Sequence, residues 1–211
     1  MGSVRSWINL TKEWNRATKG VKVYHSTDAA NLAGEFKGWS VPKRDKLFLN
    51  LVDVILGQQL LAFSTAIRMN DLREVAKEHP DMAMSDARAY DFCFHGVVRD
   101  ILEFLNRNDD RTNLVFIHEQ NQFKGVLDDT FAQLKLEYAK PGRIMKMAYG
   151  EKDEFVPLQA ADILAYEANK RTRNPEGKPR RPWPALNPTG GHRTYRIMDK
   201  KAMLRWAEAF S

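Results

Sequence analysis

Two acids in this sequence occupy settings suited to chemistry: one closes an apolar stretch, and the other sits among alanines in a helical pattern. The first is Glu119, at the end of LVFIHE. Alternation over residues 114–119 puts Val115, Ile117 and Glu119 on one face of a strand and Leu114, Phe116 and His118 on the other. A carboxylate at the carboxyl end of a rigid strand is aimed into the crevice where the connections diverge; the alternative is a solubilising strand terminus. The second is Asp162, within PLQAADILAYEANKR. Ala160, Ala161 and Ala165 let the helix backbone come close to another element, where an uncompensated carboxylate costs several kcal/mol or takes up a proton. Asp162 therefore faces either a protein partner or a metal. Gln159 and Tyr166, three positions before and four after, share its face and are placed to orient it.

His25 and Asp28 form a His-x-x-Asp pair in YHSTDAA, although Thr27 or Asp28 would equally cap a turn of helix. Lys152, in GEKDE ahead of the Asp162 helix, is a candidate phosphate contact or an ordinary solvated lysine. The chain carries 33 basic and 27 acidic residues, a net charge of +6. Most of that excess lies in KRTRNPEGKPRR, where Lys170, Arg171, Arg173, Lys178, Arg180 and Arg181 face only Glu176. Pro175, Pro179, Pro182, Pro184 and Pro188, with Gly177, Gly190 and Gly191, argue against helix or sheet here and predict a loop or extended arm over 171–198. Such an arm either displaces counterions from a phosphate backbone or is a solvated linker. Trp183 and Tyr195 would stack on bases or pin the arm to the core.

The 211 residues are 43% hydrophobic, enough for one core. The single cysteine, Cys93, excludes an intramolecular disulfide framework and a Cys-cluster zinc site; within its helical pattern it reads as packing. GxGxxG, GxxxxGK[ST] and GxSxG are all missing, which removes the dinucleotide, P-loop and hydrolase-elbow templates. MGSVRSWINL lacks a signal-peptide apolar run and no window reaches membrane-span length, so the expected setting is soluble and cytoplasmic.

These residues need elements to hold them. Trp7, Leu10 and Trp14 at helical spacing behind Ser3 predict a first helix, and VKVYH a short strand. Ser40 and Pro42 open a helix that ends near Gly57, and LLAFSTAIRM reads as a strand. Ser85 starts the longest helical pattern, ending near Asn108. LVFIHE has the profile of a buried central strand. FKGVLDDTFAQLKLEYA reads as helix, RIMKMAY as strand, and PLQAADILAYEANKR as a helix opened by Pro157. A last helix, DKKAMLRWAEAF, is capped by Asp199. Strands alternating with helices predict an α/β or α+β fold. The expected organisation is one domain over 1–170, the basic arm over 171–198, and a C-terminal helix over 199–211 packed on the domain.

EFKGWS, VFIHE and above all FVPLQAADILAYEANKR with its basic, proline-containing tail resemble the DUF3800 family, over roughly residues 7–185. LQAAD is the most specific part. The resemblance implies an RNase H-like mixed sheet flanked by helices, with carboxylates converging on Mg2+ or Mn2+. Residue by residue, it implies Glu119, Asp162 and Asp28 as metal ligands, with His25 completing the catalytic set. The activity implied is metal-dependent phosphodiester cleavage of nucleic acid, with Lys152 and the 170–181 cations on the backbone. Members of the family begin with a strand carrying Asp-Glu-Ser, and nothing comparable precedes the first helix here. The expectation is therefore an N-terminally truncated version, whose open sheet edge a second copy or a partner chain covers. The loss of that acid also supports a second reading: a non-catalytic nucleic-acid-binding or assembly module of a defence or mobile-element system.

Overall fold

The computed structural model describes residues 1–79, 85–138, 143, 145–178, 182–186 and 194–209, in which four short strands are set among nine helices. They are α1 (Val4–Ala17), α2 (Ser26–Asn31), a 3-10 turn at Gly34–Phe36, α3 (Val41–Leu56), β1 (Phe63–Ile67), α4 (Met69–Glu78) and α5 (Asp86–Arg107). There follow β2 (Leu114–Glu119), α6 (Lys124–Tyr138), β3 (Met145–Gly150), α7 (Val156–Arg173), α8 (Pro182–Leu186), β4 (Thr194–Met198) and α9 (Lys200–Ala209). Several helices begin at the caps the sequence shows. Ser3, Ser40 and Ser85 each accept the amide three residues on, from Ser6, Lys43 and Arg88, and Asp199 accepts from Ala202.

The chain divides into two units. The first takes Met1–Ala62, Tyr149–Arg171 and Glu176–Arg193; the second takes Phe63–Ala148, Thr172–Pro175 and Thr194–Ser211. Neither is continuous in sequence.

In the first unit, Leu10 and Trp14 of α1, Leu47 and Leu51 of α3, and Ala160 and Ile163 of α7 share one buried core. Through it runs an aromatic series in edge contact: Trp14 on Tyr24, Tyr24 on Phe36 and Phe36 on Trp39, with centroids 6.2, 5.6 and 5.3 Å apart. Each such pair contributes about 0.5–1.5 kcal/mol beyond its buried area.

In the second unit, β1 pairs in parallel with β4, from Phe63 opposite Thr194 to Ile67 opposite Met198. α5 packs on β1, and Gly96 makes the close approach possible: a Cβ there would lie 2.8 Å from both Cγ2 and Oγ1 of Thr65. Leu72 and Val75 of α4, Phe92 of α5, Met198 of β4 and Met203 of α9 form a buried cluster that anchors the C-terminal helix. Asp100, 4% exposed, holds the Arg196 guanidinium in a two-toothed pair at 3.1 and 2.6 Å.

Two expectations about strands change. The described strands pair two by two, β1 with β4 and β2 with β3, instead of joining one mixed sheet. β2 is also not a buried central strand: Val115 is 65% and Ile117 42% exposed, while Leu114 is buried and Phe116 packs edge-on against Phe131. β3 is its only partner strand among the described residues, and its Val115–Ile117 face is open to solvent, which hydrophobicity alone could not show. No helix among the described residues is long and apolar enough to cross a membrane.

Candidate functional site

α7 presents Gln159, Asp162, Tyr166 and Lys170 at steps of three and four, which aligns them along one face. Gln159 is 2% exposed and fully used: its Oε1 accepts from Trp14 Nε1 at 2.9 Å and from the Tyr24 amide at 2.8 Å, and its Nε2 donates to the Lys152 carbonyl at 2.8 Å. One turn on, Asp162 Oδ2 accepts the Ser26 amide at 2.7 Å and Oδ1 accepts from Lys152 Nζ at 3.2 Å. Across the same segment, Glu35 takes the Lys22 and Val23 amides at 2.6 and 2.9 Å.

These bonds correct the strand expected at VKVYH. Its Lys22, Val23 and Tyr24 amides go to the side-chain oxygens of Glu35 and Gln159, its Val21 amide goes to the Thr18 carbonyl, and Asp162 takes the amide of Ser26, so these groups need no neighbouring strand. They also supply the partner Asp162 requires, from within the chain. Lys152, expected as either a phosphate contact or an ordinary solvated lysine, is instead 7% exposed with its ammonium against Asp162.

His25 occupies the N-cap position of α2 without using its side chain as a cap, and its Nδ1 is buried with no hydrogen-bond partner. Asp28 lies in the first turn of α2 with its carboxylate against Gly34, where a Cβ would fall 2.7 Å from Oδ2 and φ is +52°. Asp162 reaches this segment at Ser26, between the two.

The same α7 face borders a cleft of about 220 Å³ within the first unit, lined in part by Tyr24, Ser26, Arg44, Tyr166, Glu167 and Lys170. Lys170 is exposed and its ammonium sits 4.6 Å from the Tyr166 ring centroid, a cation-π contact. Arg44 is held by the Ala29 and Ala30 carbonyls, both at 3.0 Å, and by Asp45 at 2.6 Å. Sequence reasoning missed Ser26, Arg44 and Glu167. Ser26 stood between the two residues singled out at 25 and 28, and Glu167 shares the Asp162 helix; nothing local marked Arg44.

The basic stretch is partly helical, which corrects the arm. Lys170, Arg171 and Arg173 lie in the last turns of α7, Pro182–Leu186 forms α8, and Thr194–Met198 forms β4. Prolines in the first turn of α8 are compatible with a helix, which the arm expectation overlooked. Arg171 donates to the Gly177 carbonyl at 2.7 Å, Lys178 is exposed, and Arg173 is exposed in a segment of the second unit. Arg180 and Arg181 lie outside the described residues. Trp183 is 7% exposed and so pins its segment, and the Tyr195 hydroxyl meets Thr172 Oγ1 at 2.6 Å.

Glu119 closes β2 in the second unit and Asp162 belongs to the first. Beside Glu119, His118 donates its Nδ1–H to the Glu119 carbonyl at 2.6 Å, and its Nε2 lies 3.1 Å from the Tyr90 hydroxyl, from which it accepts when the ring is neutral. Burial lowers the His118 pKa from its ordinary value and raises that of Tyr90. Burial also pushes the Cys93 thiol up to about 11, which fits a packing role.

At Asp162, where the resemblance implies magnesium or manganese, each carboxylate oxygen already accepts one bond from within the chain, from the Ser26 amide and from the Lys152 ammonium. Among the described residues no group of three or more His, Cys, Asp or Glu side chains is arranged to hold a metal. In comparisons with known proteins, no family model, no curated protein and no solved structure matches this chain.

Proposed function

We propose that this protein binds nucleic acid through its phosphate backbone and does not cleave it. The observation that carries this reading is the division of labour along α7. Asp162 is balanced inside the protein by Lys152 and the Ser26 amide, while the same helix face runs on to Tyr166 and the exposed Lys170, with Lys178 exposed beyond the helix. The carboxylate fixes backbone, and the cations remain available for phosphates. On this reading the chain is a relative of the RNase H-like DUF3800 proteins in which the Gln-x-x-Asp acid has a structural task.

The test is anisotropy of a labelled oligonucleotide over a salt series, with cleavage followed on gels in Mg2+ and in Mn2+. Affinity should fall steeply with salt, and Lys170→Ala or Lys178→Ala should each reduce the logarithmic slope by about one. No cleavage product is expected. Salt-independent binding, or none, overturns the proposal. Metal-dependent cleavage that disappears in Glu119→Gln replaces it with the rival reading, in which Glu119, Asp162 and Asp28 are metal ligands and His25 stands beside them.

A further inference from the structure

Ser26 is 4% exposed, lines the first unit's cleft, and its Oγ has no hydrogen-bond partner. A buried hydroxyl left unmade costs about 1–3 kcal/mol, so its retention calls for a ligand atom. The adjacent His25 Nδ1 is orphaned in the same way. Two cations border the same cleft. Arg44 is already fixed by two carbonyls and Asp45, so it loses little further freedom on binding, and Lys170 is steadied over the Tyr166 ring. Two fixed cations beside an unpartnered hydroxyl suit a compact dianion.

From this geometry we infer that the cleft is a phosphomonoester site, which captures the terminal phosphate of a nucleic-acid strand. Three features narrow the ligand. A phosphomonoester carries about −1.5 to −2 charges at neutral pH and answers both cations, whereas an internal phosphodiester carries one. Two carboxylates, Glu167 in the lining and Asp45 on Arg44, oppose the further charges of a polyphosphate. About 220 Å³ is less than the roughly 300–1,000 Å³ of sites for drug-sized ligands, so the cleft takes the end of a chain with the terminal residue beside Tyr166.

The inference rests on the proposed nucleic-acid binding, and the two fail differently. The experiment compares 3′-labelled oligonucleotides bearing a 5′-phosphate or a 5′-hydroxyl, and 5′-labelled ones bearing a 3′-phosphate or a 3′-hydroxyl, on the full chain at fixed salt. AMP and inorganic phosphate serve as competitors. A phosphorylated end should bind about tenfold tighter than the matching hydroxyl end. Ser26→Ala should remove most of that preference without lowering the melting temperature, since it deletes a hydroxyl that has no partner in the protein. A merely structural serine would shift stability and leave the end preference unchanged. Equal binding of phosphorylated and hydroxyl ends overturns the inference and leaves backbone binding standing, whereas failure of every oligonucleotide overturns both. Competition by AMP at concentrations matching the phosphorylated strand upholds the phosphomonoester site and assigns it to free nucleotide in place of strand ends. A preference unaffected by Ser26→Ala and by Lys170→Gln puts the site elsewhere and sinks the inference.

Discussion

Asp162→Asn keeps the shape of the side chain and removes its charge, so it isolates what the carboxylate does. The amide oxygen can still accept the Ser26 amide, but the amide nitrogen then faces Lys152 Nζ, donor against donor, and a lysine only 7% exposed loses the carboxylate beside it. Breaking a buried ion pair by removing one partner costs about 3–5 kcal/mol. Asp162 retains 21% side-chain exposure, so solvent screens part of the interaction and the expected loss is about 2–3 kcal/mol. For a chain of this length that corresponds to a melting temperature lower by about 4–12 °C. Urea unfolding followed by tryptophan fluorescence would report it, because Trp14 and Trp39 lie in the first unit's core region. Combined with Lys152→Met, the double variant should lose about 1–3 kcal/mol less than the sum of the single variants. Strict additivity, or an Asp162→Asn protein within about 0.5 kcal/mol of the parent, would refute the structural role argued for this acid. Loss of an activity in Asp162→Asn thus needs a folding control before it can speak for metal binding; Glu119→Gln leaves this ion pair intact.

Gln159→Leu strips the acceptor from Trp14 Nε1 and the Tyr24 amide and the donor from the Lys152 carbonyl, and should cost about 3 kcal/mol in urea midpoint measurements; a loss under about 1 kcal/mol would mean that those groups find other partners. Gly96→Ala gains helix propensity, yet its methyl meets Thr65 at 2.8 Å, so calorimetry should show a net loss of about 1–2 kcal/mol, and a stabilised protein would contradict the close packing of α5 on β1. Val115→Thr should be neutral to within about 0.5 kcal/mol because this face of β2 is open; a loss of several kcal/mol would restore the buried central strand. Burial lowers the pKa of both His95 and His118 from the ordinary 6.5. The unfolded chain therefore binds more protons below that pH, and stability should decline as pH falls from 6.5 towards the folded values. Melting temperatures that stay flat from pH 7.5 to about 5.5 would contradict this.

How Asp162 is satisfied shows where sequence reasoning reached and where it stopped. Asp162 signalled a need for compensation, and both alternatives, a partner and a metal, lay outside the chain; of the three alanines expected to allow a close approach, only Ala160 is buried, while Ala161 and Ala165 are exposed. The compensation came from Lys152, ten positions upstream, and from Ser26, 136 positions away. Lys152 looked like a surface lysine because its acidic neighbours in GEKDE carry the ordinary signature of a solvated loop. Helix α2, expected at most as a capped turn, and α4, not expected, are hard to read because each spans few turns and shows few apolar anchors: Ser26 and Ala29 are buried in one, Leu72 and Val75 in the other.

What the sequence determined by itself is what neighbouring residues decide among themselves. Ser3, Ser40, Ser85 and Asp199 cap helices by contacts three residues long, and the apolar spacing of α1, α3 and α5 selects the face each one buries. Tertiary structure decided the rest. VKVYH has strand composition, yet the Lys22, Val23 and Tyr24 amides are taken by Glu35 and Gln159, the latter 135 positions from Tyr24. LVFIHE is a strand as written, but how many of its faces are covered depends on what packs against it. A hydrogen-bonding group accepts any partner of the right chemistry, and which one it meets is set by how the chain folds back on itself, information that no short window contains.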